Sequence, residues 1–257
     1  MKLCRIAHAS LDSPRYAGLL GESVFPLPAG YSFENVNIPN EGVLALHEVK
    51  MLPPVAPSKI VCVGRNYLEH AAELGNKLPD EPLLFLKAPS SLIGSGDKIV
   101  LPPASQQVEH EGELGVVIGR VASKLSSSDD PLSYVFGYTC VNDVTARDLQ
   151  RKDVQFTRGK SFDTFCPVGP WIETDIDPRN VVVETRVNGE VKQKGNTADM
   201  AFPVAFLIRY ISEIMTLYPG DLIATGTPAG VSRMKHGDTV EVEIAGIGVL
   251  RNEVVSA

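Results

Sequence analysis

The sequence predicts an α+β chain dominated by β-structure, and three observations carry that expectation. Strand-like apolar runs recur beyond residue 105 (GVVIG, VFGYTCVN, VVVETRVNG, LIATG and TVEVEIAGIGVL), separated by turn signals such as NG at 188–189 and GD at 220–221. One stretch, from Pro203 to about Thr216, stands out as an amphipathic helix: Val204, Leu207, Ile208, Ile211 and Met215 share a face, and Pro203 suits its first turn. Finally, MLPPVAPSK places Pro53, Pro54 and Pro57 where neither a helix nor a central strand can continue.

Taken in order, residues 1–55 read as a small N-terminal β domain of short strands and turns, and residues 56–257 as the main domain. KIVCVG, residues 59–64, is a short apolar strand that hands over at Arg65 to NYLEHAAEL, a helix stopped by Gly75 and Asn76. A loop rich in Pro, Gly and Ser follows from 75 to 105, interrupted by the apolar PLLFLK; loops of that length are often lids or binding loops. SSSDD at 126–130 is a solvated turn, and the apolar stripe of the helix starting at Pro203 belongs to the core.

With 257 residues, 44% hydrophobic and 21% charged, the chain is long enough to bury a large core. A formal net charge of -7 without any basic run excludes nucleic acid and anionic membrane surfaces as natural partners, leaving small molecules. MKLCRIAHAS interrupts its apolar character with Arg5, and no segment is apolar for the length a membrane span needs, so a cytoplasmic protein is expected. Cys4, Cys62, Cys140 and Cys166 lie far apart, in no zinc-type spacing, and read as buried thiols. GKS at 159–161 has Val154 where a phosphate loop needs glycine, there is no GxSxG elbow, and GTPAG is not a dinucleotide fingerprint.

The chemistry concentrates in VEHEGELGVVIG, residues 108–119. Read as one strand, its period of two puts Glu109, Glu111, Glu113 and Val117 on one face. Carboxylates so close in a partly dry site destabilise one another unless a cation or proton offsets them, and carboxylate oxygens are the ligands that Mg²⁺ and Mn²⁺ prefer. VNDVTARDLQ ends an apolar strand at Asp143, where a third carboxylate can point into a site. Arg147 and Gln150 share a face of the following turn and suit a substrate carboxylate, while Lys160 in RGKSFD can steady an enolate or carboxylate as a point charge.

The segments GRNYLEH, HEGELGVVIG, NDVTARDLQ, GKSFD and GDLIATGTPAGV, in this order across residues 58–255, resemble the fumarylacetoacetate hydrolase family, especially its acylpyruvase and oxaloacetate-processing branch. The resemblance implies a mixed β-sandwich roll, usually homodimeric, with residues around 66–80 as a lid. It implies that Glu111, Glu113 and Asp143 hold Mg²⁺ or Mn²⁺, with Glu109 outside the ligand set and His110 structural. His70 becomes a general base oriented by Glu73 one helical turn on. Arg65, Arg147, Gln150 and Thr227 become substrate contacts, and Lys160 a catalytic cation. The expected reaction is hydrolysis of a C–C bond in an acylpyruvate-type 2,4-dioxo acid through a metal-stabilised enolate. Isomerisation or tautomerisation of 2-hydroxydienedioates or oxaloacetate, or decarboxylation of oxaloacetate, is the alternative at the same site.

Overall fold

The structure is a computed structural model that describes residues 1–33, 37–39, 42–73 and 75–257. Leu74, in the expected helix of residues 66–74, lies outside the described residues, as do positions 34–36, 40 and 41 of the expected N-terminal domain. The first strands are β1 (Lys2–Ala7), β2 (Arg15–Leu20), β3 (Ser23–Pro26), β4 (Leu44–Ala45) and β5 (Lys50–Leu52). After the proline-rich break come β6 (Ile60–Gly64), α1 (Leu68–Glu73), β7 (Leu83–Lys87), β8 (Leu92–Ile93) and β9 (Lys98–Leu101). The carboxylate segment forms β10 (Val108–Glu109) and β11 (Gly112–Ile118), followed by β12 (Val135–Asn142), β13 (Thr145–Ala146), α2 (Arg147–Lys152) and α3 (Thr157–Lys160). The chain closes with β14 (Cys166–Glu173), β15 (Val182–Val187), β16 (Glu190–Asn196), α4 (Val204–Ile214), β17 (Leu222–Ala224), β18 (Thr239–Ile244) and β19 (Gly248–Ser256).

The main sheet runs β4-β3-β2-β1-β14-β12-β11-β17-β6-β7, with β5 paired to β1 and β8 to β14; a second sheet runs β16-β15-β18-β19-β9. All seven residues of β11 are buried because both faces are covered. Leu114, Val116 and Ile118 meet Val183, Val242 and Ile244 of the second sheet together with Leu207, Ile208 and Ile211 of α4. Val117, on the opposite face, packs with Leu3, Ile60, Cys62, Val141 and Leu222. The N-terminal strands enclose a small core of their own, Cys4, Ile6, Ala17, Leu19 and Val24, and share the main sheet through the pairing of Leu3 with Ile172.

Two expectations need correcting. Residues 108–118 are not one strand: His110 and Glu111 interrupt it, because β10 pairs with β13 in a separate small ladder while β11 joins the main sheet. The loop of residues 75–105 also contains β8 and β9 besides β7; these short runs pair with β14 and β19, far away in sequence, so no local pattern betrays them. By contrast, the NG turn forms as its residues dictate. Asn188 and Gly189 both take positive φ, 53° and 80°, the geometry that returns a hairpin tightly from β15 to β16.

Candidate active site in a buried carboxylate cluster

Register brings the site together. β11 and β12 run antiparallel with Gly112 opposite Asn142 and Glu113 opposite Val141, so the start of one strand meets the end of the other. The Asp143 N–H donates to the Glu111 carbonyl at 2.8 Å. On the other side of β11, Ala224 of β17 pairs with Gly115 and with Cys62 of β6, which carries the loops after both strands to the same edge. Asn66 pins the loop after β6: its Nδ2 donates to the Thr225 and Phe202 carbonyls at 2.7 and 3.0 Å, and its Oδ1 accepts from the Phe202 N–H at 2.8 Å.

Glu111, Glu113 and Asp143 are buried, and each offers a carboxylate oxygen within 4.8 Å of the others. Asp143 accepts from Lys87 at 2.6 Å and from Lys160 at 2.5 Å. Glu111 accepts from Lys160 at 2.7 Å and from Arg147 Nη2. Arg147 Nε donates to Glu109 at 2.7 Å and its Nη1 to Gln150 at 2.5 Å. Glu109 is thus a partner of Arg147. The four buried acids Glu109, Glu111, Glu113 and Asp143 face three buried cations, Lys87, Arg147 and Lys160, an excess of one negative charge.

That excess falls on Glu113. Its carboxylate accepts from the Gly226 N–H at 2.8 Å, and its pKa is raised well above the usual carboxylate range by burial and then by the charges of Asp143 and Glu111. For Glu111 burial works in the same upward direction, yet Lys160 and Arg147 outweigh it and hold the carboxyl well below that range. Conversely, burial disfavours the Lys160 ammonium, but Asp143 and Glu111 win and keep it charged. A convergent set of hard oxygen donors with surplus negative charge fits a divalent cation.

A cavity of about 460 Å³ opens onto the cluster, lined by Glu111, Asp143, Arg147, Gln150, Lys160, Thr227, His70 and Arg65 among others. His70 is buried on α1, and its Nδ1 lies 3.2 Å from Glu73 Oε2. Glu73 also accepts from the Gly230 N–H at 3.0 Å. Position 230 tolerates no side chain, since a Cβ there would stand 1.9 Å from the Lys192 carbonyl oxygen and φ is +102°. Arg65 lines the cavity from a left-handed backbone, φ 57°, a conformation costly for a residue with a Cβ and concentrated at functional sites. Thr227 donates its hydroxyl proton to the Gly112 carbonyl at 2.9 Å, so that proton is committed within the protein.

Of the ten residues expected from the sequence, eight line this cavity, Glu113 clusters with Glu111 and Asp143, and Glu73 is bonded to His70. Sequence reasoning missed Lys87 and Gln193. Lys87 closes an apolar run and reads as its polar boundary, while Gln193 sits in a strand that had no pattern to distinguish it. The four cysteines are buried and free, and burial pushes the Cys4, Cys140 and Cys166 thiols up to about 12, which removes them as nucleophiles.

Among the described residues no helix is long and apolar enough to cross a membrane. Residues 59–255 match the family described as fumarylacetoacetate (FAA) hydrolase C-terminal. The chain is 46% identical over 226 residues to human mitochondrial oxaloacetate tautomerase FAHD2A, covering 83% of this chain and 72% of that protein. It is 44% identical over 225 residues to the oxaloacetate tautomerase YisK of Bacillus subtilis, covering 82% and 74%. Among solved structures, a 2-hydroxyhepta-2,4-diene-1,7-dioate isomerase from Mycobacterium marinum superimposes with a TM-score of 0.90 at 42% identity, covering 100% of this chain and 98% of the other. The carboxylate cluster, the fold and the extent of these matches lead to one assignment: the chain belongs to the fumarylacetoacetate hydrolase family of enzymes.

Proposed function

We propose that this enzyme is a Mg²⁺- or Mn²⁺-dependent tautomerase or isomerase that moves a proton between carbon and oxygen in a 2-oxo dicarboxylate of the oxaloacetate or 2-hydroxydienedioate type. The observation that carries the proposal is the placement of His70, buried and oriented by Glu73, in the wall of the same cavity as Glu111, Asp143 and Lys160. Two relatives named as oxaloacetate tautomerases and a neighbour named as a dienedioate isomerase favour proton transfer over the C–C hydrolysis expected from the sequence.

Glu111, Glu113 and Asp143 would hold the cation. A divalent ion there supplies Lewis acidity to a keto oxygen and so makes the neighbouring C–H more acidic. In the chain itself, the Glu73 carboxylate accepts a hydrogen bond from His70 Nδ1–H, which leaves Nε2 as the basic nitrogen that takes a proton from carbon and returns one. Lys160 contributes a fixed positive charge at the mouth of the cluster, held 4.9 Å from the Phe85 ring centroid. Arg147 and Gln150, bonded to one another, present a donor surface for a substrate carboxylate, and Arg65 adds a second cationic wall.

C–C hydrolysis of an acylpyruvate is the second reading, in which the same imidazole activates water. A spectrophotometric panel of oxaloacetate, acetylpyruvate, fumarylpyruvate and 2-hydroxyhepta-2,4-diene-1,7-dioate, with Mg²⁺ present and products identified by mass, separates the two. The proposal expects products of unchanged mass from oxaloacetate or the dienedioate, whereas pyruvate release from acetylpyruvate or fumarylpyruvate as the fastest reaction would replace it with hydrolysis. A cytoplasmic homodimer acting on a free small molecule completes the proposal, and sedimentation velocity checks the dimer.

A further inference from the structure

The contacts of Gln193 have no part in the chemistry above. This residue lies on β16 in the second sheet, wholly buried, and its amide reaches both the ligand strand and the loop after β17. Its Oε1 accepts from the Gly112 N–H at 3.0 Å and faces His110 Nδ1 at 3.0 Å. Its Nε2 donates to the Pro228 carbonyl and to the Thr227 hydroxyl, both at 2.7 Å. A backbone N–H only donates and a carbonyl only accepts, so these two partners fix which end of the amide is which.

The remaining bonds follow from that orientation. His110 Nδ1 must donate, which leaves its Nε2 to accept from Ser232 Oγ at 2.8 Å. Thr227 must accept from Gln193, so its own proton goes to the Gly112 carbonyl. Gly112 is therefore held at both its N–H and its carbonyl, between Glu111 and Glu113. The second sheet also presses on it directly, since a Cβ at position 112 would lie 2.0 Å from Thr185 Oγ1.

We infer that Gln193 is a positioning residue that locks the backbone between two candidate metal ligands, together with the Thr227 hydroxyl, into one rigid unit. Glu111 and Glu113 repel each other, and a backbone free to turn between them would let the carboxylates part. Bonds from a buried amide on a separate sheet hold them converged before any ion arrives. Residues that orient ligands in this way typically contribute about 10- to 100-fold to metal affinity. The inference rests on reading Glu111, Glu113 and Asp143 as metal ligands.

Its test is the affinity for Mn²⁺, read from the resonance of the free ion, in the wild type and three variants. Gln193→Met keeps the length of the side chain and loses every bond. Gln193→Asn keeps the amide but shortens its reach. Val183→Ala loosens the core on the neighbouring strand β15 while leaving the bonds of Gln193 and Thr227 to Gly112 in place. Both Gln193 variants should bind Mn²⁺ about 10- to 100-fold more weakly, while Val183→Ala stays within about twofold of wild type. If Gln193→Met does not fold, Gln193→Asn carries the same expectation. Equal affinity losses in the Gln193 and Val183 variants, or none in the Gln193 variants, would overturn the inference. A wild type that binds no Mn²⁺ would instead overturn the ligand reading beneath it.

Discussion

Lys160 donates to two of the three candidate ligands, 2.7 Å from Glu111 and 2.5 Å from Asp143, and so neutralises the oxygens a metal would claim. Metal and ammonium compete for the same negative charge. Lys160→Met should therefore bind Mg²⁺ more tightly, by about tenfold, even as turnover falls, and a larger Mg²⁺-induced rise in melting temperature would register it. An unchanged rise would mean that the ammonium does not oppose the ion. Glu111→Gln acts in the opposite direction. It removes a ligand and leaves Arg147 and Lys160, both buried, short of a charged partner. Urea denaturation of the metal-free variant should show a loss of about 3 kcal/mol, and turnover should vanish with Mg²⁺ present.

At the scale of elements, the loop between β6 and α1 sets the position of His70 and depends on Asn66. Asn66→Ala removes the three side-chain bonds by which this buried residue ties the loop to residues 202 and 225. At about 1 kcal/mol each, the variant should lose about 3 kcal/mol in denaturant unfolding, with a fall in kcat as α1 loosens. At α2, Asp148 accepts from Ser105 Oγ and from the Gln106 and Leu149 N–H groups at 2.6, 2.8 and 2.9 Å. Burial raises its pKa, but these bonds outweigh it and the carboxyl sits below its ordinary value. Its contribution to stability is therefore present above the unfolded pKa of about 4 and lost as pH falls through the lower folded value. Asp148→Asn should be destabilised at pH 7 and converge on the wild type in acid, as urea midpoints at the two pH values would show. Elements with a strong local pattern were legible in the sequence: the α4 stripe, the NG hairpin and strand β12. Strand β16 was not, since EVKQKGN carries no apolar alternation even though it pairs with the adjacent β15, and neither were β8 and β9, whose stability comes from distant partners. The break at His110 escaped for the same reason, because strand alternation is local whereas pairing with β13 is not.

For the whole molecule, the decisive feature is that strands remote in sequence deliver their ends to one edge of the main sheet: β6, β12 and β17 by their last residues and β11 by its first. Glu111, Glu113 and Asp143 could be chosen from motif order, yet Lys87 and Gln193 could not, because their role exists only once two sheets are stacked around them. The same convergence crowds carboxyl groups in the core and pushes the Glu113 pKa well above its usual range, a strain that a bound cation would relieve, so stripping the metal with a chelator should lower the melting temperature of the wild type, and Mg²⁺ should restore it. The most direct test of the account is the rate at which enol-oxaloacetate converts to the keto form, followed by ultraviolet absorbance on metal-loaded, chelated and Mg²⁺-restored enzyme. The account predicts an acceleration that disappears on chelation and returns with Mg²⁺ or Mn²⁺. An undiminished rate after complete metal removal, or no acceleration by the loaded enzyme, would contradict it.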